Sequence, residues 1–356
     1  MKFSDFIDVR DGTHESPKAT DKGKKLITTK NLSTNHIDFS NAKNISVDDF
    51  NHINERSNVE KYDILLSMIG TVGNVYQEKN DNPDYAIKNL ALLKFHGDEL
   101  LSNWMNYYLQ SEDGQNKIKQ KLNGSTQQFI SLKELRNLEI ELPTKKEMEA
   151  KSRPLIIIDG LIQKNNKIND NLLELLDTRF KQFISSSKLT DTTLHNIAFI
   201  HSGGNKPKEF SKVKTNEYSV PVYSNGVSKK GLFGFTNKAK VNERAVTVSA
   251  RGTIGFTVLH NKPFVPIVRL IYLTYKSVPI NFLYLLVRSL NIQGYGSTQQ
   301  QITVPYLRKL KIKIPDVNEI NKFDAENLSF FDLIWIKEKE NILLFKIKEN
   351  LLEKYF

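Results

Sequence analysis

Two periodicities alternate along this chain. Between turns rich in Gly, Asn and Pro, short apolar runs such as "DILLSM" (Asp63–Met68), "NVYQ" (Asn74–Gln77) and "LEIELP" (Leu138–Pro143) read as strands. "AVTVSA" (Ala245–Ala250), "FTVLH" (Phe256–His260) and "LKIKIP" (Leu310–Pro315) repeat the pattern further on. Each strand-rich stretch gives way to helical spacing. From Pro154 to about Ile184 apolar residues fall at Ile158, Leu161, Ile168, Leu172 and Leu175, near the 3–4 alternation of a coiled-coil seam, with Asn165 at one seam position. Pro154 fits the first residue of this helix or a kink within it. A second stripe runs through Ile334, Leu344, Leu351 and Tyr355. At ~1.5 Å per residue, a helix of about 30 residues is roughly 45 Å long. Neither helix has an obvious partner of its length except the other.

The alternation comes from internal duplication. "GSTQQFISLKELRNLEIELP" (Gly124–Pro143) returns as "GSTQQQITVPYLRKLKIKIP" (Gly296–Pro315), identical at eleven of twenty positions at an offset of 172; chance would supply about one. The same offset continues into the helices, pairing Leu161 with Leu333, Asn169 with Asn341 and Leu172 with Leu344. Upstream, "SMIGTVG" (Ser67–Gly73) matches "SARGTIG" (Ser249–Gly255) at an offset of 182, and the openings "RDGTHESPK" (Arg10–Lys18) and "HSGGNKPK" (His201–Lys208) occupy equivalent starts. A drifting offset means that loops vary in length while the end of each unit is held. The expected organisation is α+β: a strand-rich domain over 1–143, a helix over 144–190, a second such domain over 191–315 and a second helix over 316–356. If the helices pair antiparallel, the repeat has pseudo-two-fold symmetry with the globular units at opposite ends.

Charge separates the two copies. Residues 1–140 hold 18 Lys+Arg against 20 Asp+Glu, whereas 191–315 hold 18 against 4, so the net +11 of the 356-residue chain is concentrated in the second domain. Solubility alone does not require that distribution, and a polyanion such as nucleic acid is the natural partner of a basic block. The chain has no Cys, which excludes disulfides and thiolate metal sites and suits a reducing cytosol. The N-terminal residues show no signal-peptide pattern, and "INFLYLLV" (Ile280–Val287) is too short to span a bilayer, so a cytoplasmic protein without membrane attachment is expected.

The order of variable domain, G-S-T-Q-Q…I…L…I…P and long helix, written twice, resembles the DNA-specificity subunit of type I restriction-modification systems. "DGTHESPK", "GGNKP", "GTVG", "GTIG" and "PVYSNGV" (Pro221–Val227) are similar to segments of its target-recognition domains. The resemblance implies that each domain reads one half of an asymmetric bipartite site in double-stranded DNA. The helices would set the spacer and dock two adenine methyltransferase subunits, and restriction/translocase subunits would join that core. It also implies that S-adenosylmethionine, ATP and Mg2+ sit on those partners and that this chain holds no cofactor.

Reading DNA needs phosphate contacts for affinity and base-edge contacts for sequence. In the second domain Lys206, Lys208, Lys229, Lys230 and Arg251 lie in Gly-containing loops that can approach a backbone. Arg251 is the candidate base reader, because bidentate Arg to guanine is the commonest specific contact, against the plainer reading of a solvated hairpin tip. In the first domain the candidates are Arg10, Thr13, His14 and Lys18; a histidine such as His14 is more often an ordinary surface residue than a base contact, and it is kept because Asp11-Gly12 fixes a tight turn directly before it. Ser125, Thr126, Gln127, Gln128, Ser297, Thr298, Gln299 and Gln300 are identical between copies. Two halves reading different sequences should not share a reader, so these eight are assigned to structural or backbone work. Ser131 with Glu134 has capping-box spacing, and Thr303 can cap the matching turn. Phe129 against Gln301 is the one difference in the motif's core, and a place where half-site specificity can enter.

The chain shows no G-x-x-x-x-G-K-[ST] loop, no H-E-x-x-H helix and no Asn/Asp-Pro-Pro-aromatic methyltransferase stretch, and its seven His lack metal-ligand spacing. A non-catalytic subunit is therefore expected. A type IIB-like specificity subunit and a coiled-coil scaffold without DNA function are the rival readings. The scaffold leaves the basic second domain unexplained.

Overall fold

Strands buried on both faces must be apolar at every position, because successive side chains point to opposite sides of the sheet. Ile64–Ser67 and Leu90–Lys94 meet this demand up to their last residues, the buried Ser67 and Lys94, whose polar groups bond Thr71 O and Asp63, and they lie at the centre of a four-stranded antiparallel sheet ordered Asp8–Asp11, Leu90–Lys94, Ile64–Ser67, Val75–Gln77. The computed structural model describes residues 1–125, 127–290, 292 and 301–356. They fall into two units, Met1–Gln163 with Asn341–Phe356, and Lys164–Glu340.

In the first unit one face of the sheet packs Val9, Ile64, Leu66 and Leu93 on Trp104, Met105 and Tyr108 of helix Glu99–Gln110. The other face packs Leu65 and Leu92 on Ile27, Tyr85 and Ile87 of a small mixed sheet. There Lys24–Ile27 pairs antiparallel with Lys43–Ile45 and parallel with Tyr85–Ile87.

The second unit repeats this topology strand for strand. Its four-stranded sheet runs Ala198–Ser202, Ile271–Tyr275, Ala245–Val248, Thr257–His260, again with every neighbour antiparallel. Val220–Tyr223 pairs antiparallel with Leu232–Thr236 and parallel with Val265–Pro266, and helix Ile280–Ser289 takes the place of Glu99–Gln110. One expected strand differs. Lys311–Ile314 pairs with Thr190–Thr193, but Leu138–Pro143 makes only the bridge Lys2–Glu139, because its partner segment turns into the short helix Phe3–Asp5.

The long helices are Lys145–Ser186 and Val317–Tyr355, of 42 and 39 residues, inside the expected segments 144–190 and 316–356 and longer than the apolar stripe that marks the first of them. The first starts well before Pro154, which lies inside it. Thr144 and Glu147 form a reciprocal cap: the Thr144 amide donates to Glu147 Oε2 at 2.8 Å and the Glu147 amide donates to Thr144 Oγ1 at 3.3 Å. The seam keeps the expected Ile158 and Asn165 but moves by one residue at two other positions. Leu161 and Leu175 are 40% and 42% exposed, whereas their neighbours Ile162 and Leu176 are 6% and 0% exposed. The buried series Leu155, Ile158, Ile162, Asn165, Asn169, Leu176, Phe180 keeps a 3–4 rhythm along the helix.

Within each unit the two helices run antiparallel. In the first, Asp159 pairs with Lys348 at 2.7 Å while Lys151 Nζ lies over the Phe356 ring. In the second, Phe183 stacks on Phe323 at 4.5 Å while Arg179 lies over Phe330. No helix among the described residues is long and apolar enough to cross a membrane.

Candidate nucleic-acid interface

The two openings and the two inner turns are built alike. The Gly12 amide donates to Leu90 O at 2.9 Å and the Thr13 amide to Ile87 O at 3.0 Å; Gly203 and Gly204 repeat this on Leu270 O and Pro266 O at 2.8 and 3.1 Å. A Cβ on Gly12 would meet Ile87 O at 2.4 Å, and one on Gly203 would meet Pro266 O at 2.7 Å, so neither position accepts a side chain without backbone movement. At the inner turn, the Ile130 amide donates to Met68 O at 3.0 Å and the Ile302 amide to Ala250 O at 3.1 Å.

The repeated motif holds this frame. Ser125, Gln127 and Gln128 are exposed in a loop closed by the backbone pair Asn123–Phe129, and Gln128 O accepts from the Gly70 amide at 3.1 Å. Thr126 and Ser297, Thr298, Gln299 and Gln300 lie outside the described residues. Further along, Ser131 and Thr303 cap their short helices, and Arg136 donates to Val9 O at 2.8 Å as Arg308 does to Ile200 O at 3.0 Å.

In the second unit four loops converge. The Asn225 side chain donates to Val268 O at 2.8 Å and accepts from the Ala250 amide at 2.7 Å, while the Val268 amide donates to Gly204 O at 2.9 Å. Arg251 Nη2 donates to Gln301 Oε1 at 3.1 Å. Beside them a cavity of about 250 Å³ is lined by Ser202, Arg251, Arg269, Gln301 and Thr303 among others. Val268 and Arg269 have φ of 52° and 59°, a left-handed conformation that is strained for a β-branched residue.

Lys206 is exposed with its Nζ 3.9 Å from the Phe210 ring centre, and Lys208 and Lys229 are exposed. Lys230 is tied to Glu338 of the second long helix. The second-unit candidates thus divide: Arg251 stands in the converging loops, three lysines are open to solvent, and Lys230 is engaged.

In the first unit most candidates are engaged. Arg10 binds Asp8 at 2.7 Å and the Arg56 carbonyl. His14 lies 2.9 Å from both Asp11 Oδ2 and Asn89 Oδ1, and the nearly buried Asp11 also binds Arg56. Thr13 Oγ1 accepts from the Glu15 amide at 3.1 Å. Lys18 is exposed and, among the described residues, makes no ion pair. His14 and Arg10 therefore brace the turn, and the loop they hold presents Lys18.

Asn225, Arg269 and Arg56 were not expected from the sequence. Arg269 had a signal, since it is the one charged residue in the apolar run Phe264–Leu273. Asn225 precedes Gly226 in an Asn-Gly turn, and only the fold reveals that its amide ties two other loops. Among the described residues no cluster of His, Asp or Glu is arranged to hold a metal ion.

A family model described as the type I restriction modification DNA specificity domain matches residues 1–178 and again 187–344. Two proteins of Mycoplasma pneumoniae named as type I specificity subunits are 32% and 30% identical over 124 residues, 35% of this chain and 37% and 34% of theirs. The matched stretch thus spans about a third of those relatives. The crystal structure of a type I restriction-modification S subunit from M. genitalium covers 100% of this chain and 95% of its own with a TM-score of 0.54 at 18% identity, a likeness of fold. Two tandem matches that take in both globular repeats and most of the long helices decide the question: the chain belongs to the type I restriction-modification DNA specificity domain family.

Proposed function

We propose that this chain is the non-catalytic reading subunit of a DNA methyltransferase and endonuclease complex. Each unit reads one half of a split, asymmetric duplex site. The observation that carries this reading is one backbone frame used twice with unlike side chains: the same hydrogen bonds hold Gly12 and Gly203, and Met68 and Ala250, while the loops around them differ in chemistry. A protein that needs two readers of different sequences on one scaffold would be built this way.

The long helices would dock two adenine methyltransferase subunits, to which restriction/translocase subunits add. Exposed Ile156, Ile157 and Ile342 in the first unit, and Leu333 and Ile336 in the second, supply apolar surface that supports such docking. S-adenosylmethionine, ATP and Mg2+ belong on those partners in this reading. Base-resolution mapping of N6-methyladenine with and without the gene tests it. Loss of one split motif on deletion is expected, and an unchanged methylome would refute it.

A further inference from the structure

Ile69 and Arg251 follow the carbonyls of Met68 and Ala250, and Phe129 and Gln301 precede the amides that bond those carbonyls, so the four residues occupy two equivalent corners. In the first unit the corner is apolar: Ile69 and Phe129 form a bridge, and Phe129 is left 40% exposed. In the second it is polar, with the Arg251 guanidinium bonded to Gln301. We propose that these corners read bases in both half-sites, guanine through Arg251 in the unit Lys164–Glu340 and the thymine methyl group through Ile69 and Phe129 in the other. The inference rests on the proposed DNA-reading function and assigns specificity within it.

Chemistry supports the two assignments. One guanidinium N–H is taken by Gln301 Oε1, which fixes the plane of the group and leaves donors free for the O6 and N7 acceptors of guanine. Preorganising a reader by a neighbouring hydrogen bond is what a specific contact requires. An Ile–Phe pair has no donor or acceptor, and the C5-methyl of thymine is the apolar feature that the major groove offers it.

A third difference reinforces the contrast. The Asn89 amide donates to Thr13 O as the Val268 amide donates to Gly204 O, and the Gly12 and Gly203 amides then donate to Leu90 O and Leu270 O. Asn89 and Leu90 are adjacent, whereas Arg269 stands between Val268 and Leu270. Arg269 is therefore an inserted residue without a counterpart in the first unit. It is held in a left-handed conformation and lines the same cavity as Arg251 and Gln301, where it adds a second positive charge beside the reader.

The test uses the full chain co-produced with its methyltransferase partner in a host without adenine methylation of its own, with N6-methyladenine mapped at base resolution. A split motif from the unaltered chain establishes the reading function, and failure to see one would sink that reading separately. The variants then judge the corners. Arg251→Ile with Gln301→Phe should cost about ten-fold or more in preference for guanine at one position of one half-site. Ile69→Arg with Phe129→Gln should change one position of the other half.

Arg251→Met keeps an unbranched apolar stem but has no donor, so it should lose the guanine preference as well. The proposal is overturned if Arg251→Met leaves the motif intact, if both double variants leave it intact, or if both change the same half. Methylation that keeps the unaltered half-site shows that a variant is folded.

Discussion

Acid should weaken the unit Lys164–Glu340 through His260. This residue ends the strand Thr257–His260, is 6% exposed, lies between the Phe264 and Tyr223 rings at 4.5 and 4.3 Å, and places Nε2 2.8 Å from Thr247 Oγ1. Burial, helped by the nearby Lys230 charge, lowers its pKa from the ordinary 6.5 to about 3. Between those values the unfolded chain holds the proton and the folded unit does not. Stability is therefore whole above pH 6.5 and falls as pH drops towards 3.

Linkage puts the loss at about 2 kcal/mol between pH 8 and pH 5, and about 3 kcal/mol by pH 4. Trp104 and Trp335 fall in different units, so in a Trp104→Phe background the fluorescence of Trp335 reports urea unfolding of this unit. The comparison protein adds Thr247→Val with His260→Phe, which removes the titrating ring together with the hydroxyl that it bonds. The acid-dependent loss should shrink by the stated amount. An identical pH profile in the two proteins, or an NMR titration of the His260 ring with a midpoint near 6.5, would refute the reasoning.

Three more outcomes are expected. Lys348→Met strands Asp159, which among the described residues then keeps only the Tyr107 hydroxyl at 3.0 Å, and should cost about 3 kcal/mol in chemical denaturation; Asp159→Phe with Lys348→Leu, which copies Phe331 and Leu176 from the other unit, should recover most of it. If Lys208 and Lys229 contact phosphates, replacing each by Ala should lower the slope of log K for DNA against log salt by about 0.9, while Lys230→Ala, already paired with Glu338, should change it little. Thr144→Ala removes a reciprocal cap and should cost about 1 kcal/mol, read as a lower midpoint in thermal unfolding followed by helix circular dichroism.

The strands were legible where burial on both faces favours apolar runs, as in Ile64–Ser67, polar only at Ser67, and Ala245–Val248, polar only at Thr247, and the repeat made each reading support the other. The helix seam was legible in period and, at Ile158 and Asn165, in phase, but not at Leu161 and Leu175. Leu161 and Ile162, like Leu175 and Leu176, are adjacent apolar residues, and only the longer series from Leu155 to Phe180 selects the second of each pair. The first helix begins one residue after the expected bound at 144 and takes Pro154 inside it, the second of the two places that fit this residue, and its start carries the Thr144–Glu147 box, a local signal with the right spacing. Of the candidate site residues, Arg251 is marked by its turn, but its link to Gln301 joins residues 50 positions apart and has no local signature. His14 was ambiguous for the same reason. Its partner Asn89 lies 75 residues away.

Duplication explains the fold, and departures from it explain how one chain avoids acting as two identical halves. Backbone work is kept in both copies, as with Gly12 and Gly203, Arg136 and Arg308, or the caps at Ser131 and Thr303. Side chains that face outward, or that fix pairing, are not kept. The buried Asp159–Lys348 pair of the first unit stands at the positions of Phe331 and Leu176 in the second, so the two long helices are not interchangeable. A first helix pairing with the first helix of another copy would set Asp159 against the position of Leu176, burying a carboxylate without its ammonium. Breaking such a pair costs about 3 to 5 kcal/mol, more than most single contacts supply, which favours the first helix pairing with the second. The asymmetry that reading two sequences would ask of the loops thus has a counterpart in the helices, where one ion pair distinguishes the first unit from the second.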